Sequence, residues 1–324
     1  MDAQEGPQRT PPDRNPWHQT LWSIVQARPR FAIGYIIVAL VMIGAIFAPV
    51  LAPYNPVSAN PQSALLSPSA AHWFGTDAVG MDVFSRCLYA PRIDLTIAVS
   101  GTLISAVIGS LIGAWVGFHG RSKGVRQGIG FVIMRAADVL QAFPVFVLAI
   151  ALVASLGQSI QTVVIAIAFV NIPIYLRLMR SQVISIREMK FVEAAEVAGV
   201  SHSKIILRHV IPNAMAPTLA QLSINIGWSV IMTAGLSFIG AGVRAPTPEW
   251  GSMIAAGFQN IVTGQWSPSV FPGVVLAITV FGFSLVGASV ETFADPAKVR
   301  RLVADIAARK RRASAPRAAL GRGQ

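Results

Sequence analysis

The chain reads as an all-α membrane protein with six transmembrane helices, and three observations predict that fold class. Of its 324 residues, 53% are hydrophobic and only 12% are charged, about half the charged share of a soluble domain. The charges leave long apolar runs, each near the roughly 20 residues that cross about 30 Å of hydrocarbon. The basic residues fall on alternate connections between those runs, as expected when lysine and arginine stay on the cytoplasmic side.

Residues 1–30, rich in Pro, Arg and Gln, form a cytoplasmic tail. The apolar run that follows is too long for the core of a cleavable signal, so it is an uncleaved anchor. It runs from Phe31 to Leu51 and gives a first span over residues 31–52. Residues 53–94 form an external loop. Residues 95–293 form a core of five spans, opening with Leu95 to Phe118. The apolar run bracketed by Asp138 and Arg177 is too long for one helix. Gly157-Gln158-Ser159 divides it into a third and a fourth span. The fifth span lies within Ala214 to Ile239 and the sixth is Val270 to Val290. A polar loop over 178–213 joins the fourth to the fifth. Residues 294–324 are a basic cytoplasmic tail.

Orientation follows from charge. Of 26 basic residues, 23 lie in the two tails, in the connection holding Arg121 and Lys123, or in the loop 178–213 together with Arg177 at its edge. Only Arg86, Arg92 and Arg244 fall on the other side. Both termini and the loop 178–213 are therefore expected in the cytoplasm. The net charge of +12 does not point to nucleic acid. The charges sit beside spans without interleaved aromatics, so topology and anionic membrane lipid account for them. The single cysteine, Cys87, excludes an intrachain disulfide and a cysteine-based metal site.

The most informative stretch is KFVEAAEVAGVSHSKIILRHVIPN, residues 190–213. It is polar and helix-forming, yet it lies between two long apolar segments. Phe191, Ala194, Ala195 and Ala198 recur at helical spacing and make one small apolar face. Gly199 stands where a left-handed helix cap is expected. Ser201 can cap a second helix that ends near Pro212. Two readings are open from periodicity: the helix packs on its own spans, or it presents its small face to another surface.

The remaining segments carry little chemistry. Gly75 and Gly80 punctuate the stretch from His72 to Arg86, where Asp77 and Asp82 can bond nearby backbone amides. The competing reading, a metal site of His72, Asp77 and Asp82, lacks a further ligand at suitable spacing. The sequence has no phosphate-cradling Gly-x-x-x-x-Gly-Lys-Ser/Thr loop, no His-Glu-x-x-His and no Gly-x-Ser-x-Gly. No catalytic residue, metal or cofactor is expected. His202 and His209 flank one short helix and can share a face. Asp138 and Glu291 lie at span edges, and Asp138 is placed for a helical ion pair with Arg135. Without charges near the midplane, ion-coupled secondary transport is disfavoured. Asn171, Gln221 and Asn225 sit inside spans. They either line a translocation path or bond helix to helix. Pro144 and Pro173 interrupt helices. Gly109, Gly113 and Gly117 form a close-contact stripe that suits a partner subunit.

The stretch Glu193-Ala194-Ala195, followed by Gly199 and Pro212, resembles the Glu-Ala-Ala loop of permease subunits of ABC importers. Further residues narrow the resemblance to the C-type subunit of the dipeptide, oligopeptide and nickel branch. These are His72, Phe74, Gly75, Thr76, Asp77, Gly80, Asp82, Ser85 and Arg86, the segment Leu236 to Ile254, and Asp295-Pro296. The resemblance runs from about Trp17 to Arg301. It implies the type I importer permease fold in a bacterial inner membrane. It implies a second permease subunit, two ATP-binding subunits and an external solute-binding protein as partners. Glu193, Ala194, Ala195, Gly199 and Pro212 would form the coupling contact with the ATPase. The solute would be a peptide, or a nickel complex.

Overall fold

The structure is a computed structural model that describes residues 29–120, 124–294 and the single position 304. Nearly all of both expected tails, the residues Arg121 and Lys123, and the pair Asp295-Pro296 lie outside the described residues. The described elements are α1 (Pro29–Leu51), α2 (Val83–His119), α3 (Val125–Ala142), α4 (Val145–Leu156), α5 (Ile160–Arg187), α6 (Lys190–Val197), α7 (His202–Phe238), α8 (Trp250–Phe258) and α9 (Ser267–Ala294). Helices α1, α2, α5, α7 and α9 are long and apolar enough to cross a membrane. Helices α3 and α4 meet at a 96° bend and pass that test only together. The chain is thus an all-α membrane protein, with five candidate spans formed by single helices and one broken candidate span among the described residues.

Three details depart from the sequence expectation. The second span belongs to a helix that starts at Val83, well before its apolar run. Asp82 starts it, its Oδ2 accepting the Ser85 N–H at 2.7 Å, which satisfies one of the helix's free first-turn amides. Asp94, expected just outside the span, therefore lies on α2 and is fully buried. The third span is not one helix. It breaks at Phe143-Pro144, because proline disfavours helical backbone in the residue before it. Finally, no helix ends at Pro212, and α7 runs straight through it. A π-turn over Ile206–Val210 precedes this proline, with the Ile211 N–H bonding the Ile206 carbonyl. The wider turn shifts the hydrogen-bond register just where proline has no N–H to give. Pro173, by contrast, sits inside the continuous helix α5.

Helices α2 and α5 form the central pair. Their contact is backbone to backbone along Gly109, Gly113 and Gly117 of α2. A Cβ on these glycines would lie 2.6 Å from the Ile172 carbonyl oxygen, 2.4 Å from that of Leu176 and 2.9 Å from that of Arg180. The stripe is consumed inside the subunit and is not free for a partner. Such close approach lets dispersion and helix dipoles act where lipid offers no hydrophobic drive. Helix α7 packs across this pair, α9 packs on α7 and α1, and α8 caps the group from the connection between α7 and α9. Many large apolar side chains of α1 and α9 point outward, including Ile36, Leu40, Ile46, Val274 and Phe281. In a membrane these are lipid-facing positions.

This packing predicts an asymmetric response to small changes. Gly113→Val should destabilise the fold by about 1–3 kcal/mol or more, since a rigid carbonyl blocks the added atoms. Gly128→Ala on α3, where a Cβ meets nothing within 4 Å, should be neutral or mildly stabilising. Thermal melting of the detergent-solubilised chain checks both. Equal melting temperatures for Gly113→Val and the parent would refute the close-contact account.

Candidate functional site

The segment between α5 and α7 is built as a short lever bolted to three spans. Helix α6 is too short to be stable alone. It is held by Val192, which is buried, and by Ala195, which is partly buried. Both pack in one cluster with Ala114 and Phe118 of α2, Met179, Val183 and Ile186 of α5, and Ile205, Ile206, Val210 and Ala214 of α7. Arg187, at the end of α5, stacks its guanidinium 5.0 Å from the Phe118 ring centre and donates to the Phe118 carbonyl. The ends of α2 and α5 are thereby tied together beneath α6.

The far end of α6 closes in the way its glycine requires. Gly199 has φ +73°, which only glycine adopts freely. The Val200 N–H bonds the Ala195 carbonyl at 3.1 Å and the Gly199 N–H bonds that of Glu196 at 3.0 Å. This is the paired capping pattern of a left-handed helix end, with Val200 contributing to the same apolar cluster as Ala195. Ser201 occupies the start of α7, but its side chain makes no capping bond. The Ser201 carbonyl instead accepts the Ile205 N–H at 3.0 Å.

The residues of α6 divide between two surroundings. Val192 and Ala195 face the protein's own spans. Phe191, Glu193, Ala194, Val197 and Ala198 are exposed, Val197 at 84% of its surface. The exposed surface mixes these apolar side chains with two carboxylates, Glu196 and Glu193, the latter in the first turn of α6, where the helix dipole favours it. Pro212 is also exposed, in the first turn after the π-turn. It stands apart from the cap that Gly199 forms. Sequence reasoning missed Val192, which anchors the lever, and Phe118 with Arg187, which receive it.

The histidines sort differently from the sequence pairing. His202 meets His119 at the end of α2, with ring centres 5.8 Å apart, and the Phe118 ring at 5.5 Å. His119 Nδ1 lies 3.0 Å from the Trp115 carbonyl, so that nitrogen carries the proton. In the segment between α1 and α2, His72 Nδ1 lies 2.9 Å from Asp82 Oδ1. Asp77 accepts the Val79 and Met81 amides and faces Arg86 at 3.8 Å. These two aspartates order a turn, as the sequence predicts. Asp138 sits 2.6 Å from Arg177 of α5 and only 3.9 Å from Arg135. Its nearer partner comes from across the helix pair.

Of the in-span polar residues, Asn171 and Asn225 are buried and Gln221 is half-buried. Asn171 Nδ2 reaches Ser229 Oγ at 3.4 Å, and Ser229 Oγ lies 2.9 Å from Thr102 Oγ1. These contacts tie α5, α7 and α2 together. Gln221 donates to Asn225 one turn away. Asn171 also borders a cavity of about 260 Å³ at the bend of α3 and α4, with Gln141, Val145, Leu148 and Trp228.

Comparison with known proteins follows this geometry. Residues 109–300 match the family described as binding-protein-dependent transport system inner membrane component, and residues 15–68 match the N-terminal TM domain of oligopeptide transport permease C. The dipeptide transport system permease protein DppC of Alkalihalophilus pseudofirmus is 39% identical over 87% of this chain and 90% of that protein. The probable D,D-dipeptide transport system permease protein DdpC of Escherichia coli K12 is 37% identical over 84% of this chain and 89% of its own length. The glutathione transport system permease protein GsiD of Escherichia coli O6:K15:H31 is 37% identical over 87% of this chain and 91% of that protein.

The cap of α6 gives a direct test. A Cβ on Gly199 meets nothing within 4 Å, so any penalty there is conformational. Gly199→Val should weaken the α6 end by about 1–2 kcal/mol. Gly199→Asn should cost much less, because asparagine tolerates the left-handed region. Amide hydrogen exchange at Ala198 to Val200 reads the difference, and equal protection in the two variants would remove the conformational explanation.

Proposed function

The chain belongs to the family of inner membrane components of binding-protein-dependent transport systems, and from that premise we propose that it is one of two permease subunits lining the pore of an ATP-driven importer. The observation that carries this reading is the split of α6. Its inner face is locked to α2, α5 and α7, while Phe191, Ala194, Val197 and Ala198 remain uncovered beside Glu193. That is the build of a lever: small, firmly rooted and free on the side away from the spans. Two ATP-binding subunits would receive the free face, and ATP hydrolysis would belong to them. Glu193 would meet a polar group there, and Ala194 would permit close approach. Ala195 and Gly199 would act indirectly, by seating and ending the helix, and Pro212 would lie at the root of α7.

A peptide is the proposed cargo, delivered by an external solute-binding protein. Relatives named for dipeptide and glutathione transport support this over a nickel complex. The proposed path runs beside the bend of α3 and α4. There Asn171 borders the cavity, and Gln221 and Asn225, bonded to each other on α7, are the further proposed path residues. The second permease subunit would complete the other half of the pore. The proposed location is a bacterial inner membrane, with α6 and both termini in the cytoplasm.

The docking claim is tested on exposed positions, because a change at Ala195 would disturb the internal cluster first. Ala194→Arg and Val197→Asp should leave membrane levels unchanged. Uptake should fall about tenfold or more, the scale of forcing an unpaired charge into an interface. Retention of the ATP-binding subunits in a pull-down should fall in parallel. If both variants transport peptide and keep those subunits, α6 does no more than pack on its own helices.

Orientation is tested separately. A reporter that matures only in the cytoplasm should be active when fused near Lys123 or after Arg312, and silent near Pro61 or Pro246. Activity at Pro61 would reverse the assignment.

A further inference from the structure

We infer that Asp94 is a neutral carboxylic acid that donates a hydrogen bond to an ionised Glu249, and that it is the positioning residue for α8. Both side chains have no exposed surface. Glu249 starts α8, its Oε1 accepting the Gly251 N–H at 2.9 Å and its Oε2 the Ser252 N–H at 2.8 Å. Asp94 reaches the same helix start from α2, its Oδ2 accepting the Trp250 N–H at 3.1 Å. The two carboxyl groups therefore lie side by side on consecutive amides of one helix start. Three successive amides of α8 are thus held by two acids from separate parts of the chain.

Two carboxylates in one buried site cannot both ionise, so the pair holds a proton. The geometry points to where it resides. Each oxygen of Glu249 already accepts a backbone N–H, at a helix start where negative charge is favoured. Asp94 Oδ1, in contrast, is buried and has no donor facing it. Left as a bare carboxylate oxygen it would be unsatisfied, at the cost that attends any such group. Protonated, it becomes the donor that Glu249 accepts, and every oxygen of the pair has a partner. The guanidiniums on the same part of α2 are engaged elsewhere. Arg86 donates to the Pro56 and Pro246 carbonyls and faces Asp77. Arg92 is exposed and lies over the Tyr89 ring.

The consequence is a fixed wall. Helix α8 supplies Ser252, Met253 and Ala256 to a cavity of about 560 Å³, whose opposite side comes from Val57, Val79 and Arg86. Asp94 holds that wall to α2 through the buried acid pair. It acts through Glu249 and Trp250, without touching the cavity.

The amide substitutions separate this assignment from a merely structural one. In Asp94→Asn the carboxamide oxygen still accepts the Trp250 N–H and its NH₂ still donates to Glu249. Uptake by the assembled complex should therefore stay within about twofold of the parent. In Glu249→Gln an NH₂ must face a backbone N–H, and uptake should fall about tenfold or more. Asp94→Leu should fall similarly. Infrared spectra of the complex at neutral pH should show the carbonyl stretch of a buried protonated carboxylic acid, and Asp94→Asn should abolish it. This band and the thermal melting of each variant are read without transport. They decide the assignment even if the complex carries a solute other than a peptide. An Asp94→Asn variant as impaired as Glu249→Gln, a Glu249→Gln variant as active as Asp94→Asn, or a band that survives Asp94→Asn would each overturn the inference.

Discussion

The subunit depends on one close contact, the seating of α2 on α5 through a stripe without side chains. At Gly109, Gly113 and Gly117 the backbones approach so closely that a single added carbon would strike a carbonyl oxygen. Hydrophobic burial cannot drive this association inside lipid, so packing and polar contacts must. The stripe supplies the first. The chain of Thr102, Ser229 and Asn171 supplies the second and brings α7 in. The result is a central pair whose two ends organise everything outside the bilayer. The first turns of α2 and the residue before it carry Asp82, Arg86 and Asp94, which fix the segment between α1 and α2 and the start of α8. The other end of α2 carries Phe118, which receives Arg187, His202 and the α6 cluster.

Seen from that pair, the proposed coupling step is mechanically plain. A displaced α6 cannot slide freely, since Val192 and Ala195 share one buried cluster with three spans. Packed interiors transmit strain because they have no slack to absorb it. The turn at Gly199 and the unbroken passage of α7 through Pro212 extend the same rigidity into the next span. The helix is continuous through Pro212, with the π-turn over Ile206–Val210 immediately before it.

Most of the architecture was legible because lipid imposes such simple rules. Apolar length gave the spans, and the Gly157 turn divided the long run where α4 ends and α5 begins. Gly199 was legible because few residues can occupy a left-handed cap. What was not legible depended on partners distant in sequence. The start of α2 at Val83 comes with burial of Ser85 and Arg86 against the segment between α1 and α2, and hydropathy counts such residues as loop. The Gly109 stripe shows that two helices touch but not which two, so a partner subunit and α5 were equally compatible with it. Asp94 and Glu249 are 155 positions apart, and each alone looks like a solvated acid beside a span. The α6 face was half right: helical spacing found its small residues, but the register that buries Val192 was set by α2 and α5.

The broken span bears on where a partner subunit must lie. At the 96° bend of α3 and α4, Pro144 starts the second half without a side-chain cap. The first amides of α4 therefore lack helical partners. Lipid can cover the exposed Phe131, Val132 and Phe143, but it cannot satisfy free backbone amides. Bare backbone at membrane depth is tolerated only against protein or water. With the glycine stripe already spent on α5, this bend is the part of the subunit whose chemistry calls for a surface other than lipid. In the proposed importer that surface is the pore and the facing permease subunit. In that proposal the bend would have two uses: its cavity beside Asn171 would meet water and solute, and its outer turns would meet the neighbouring chain.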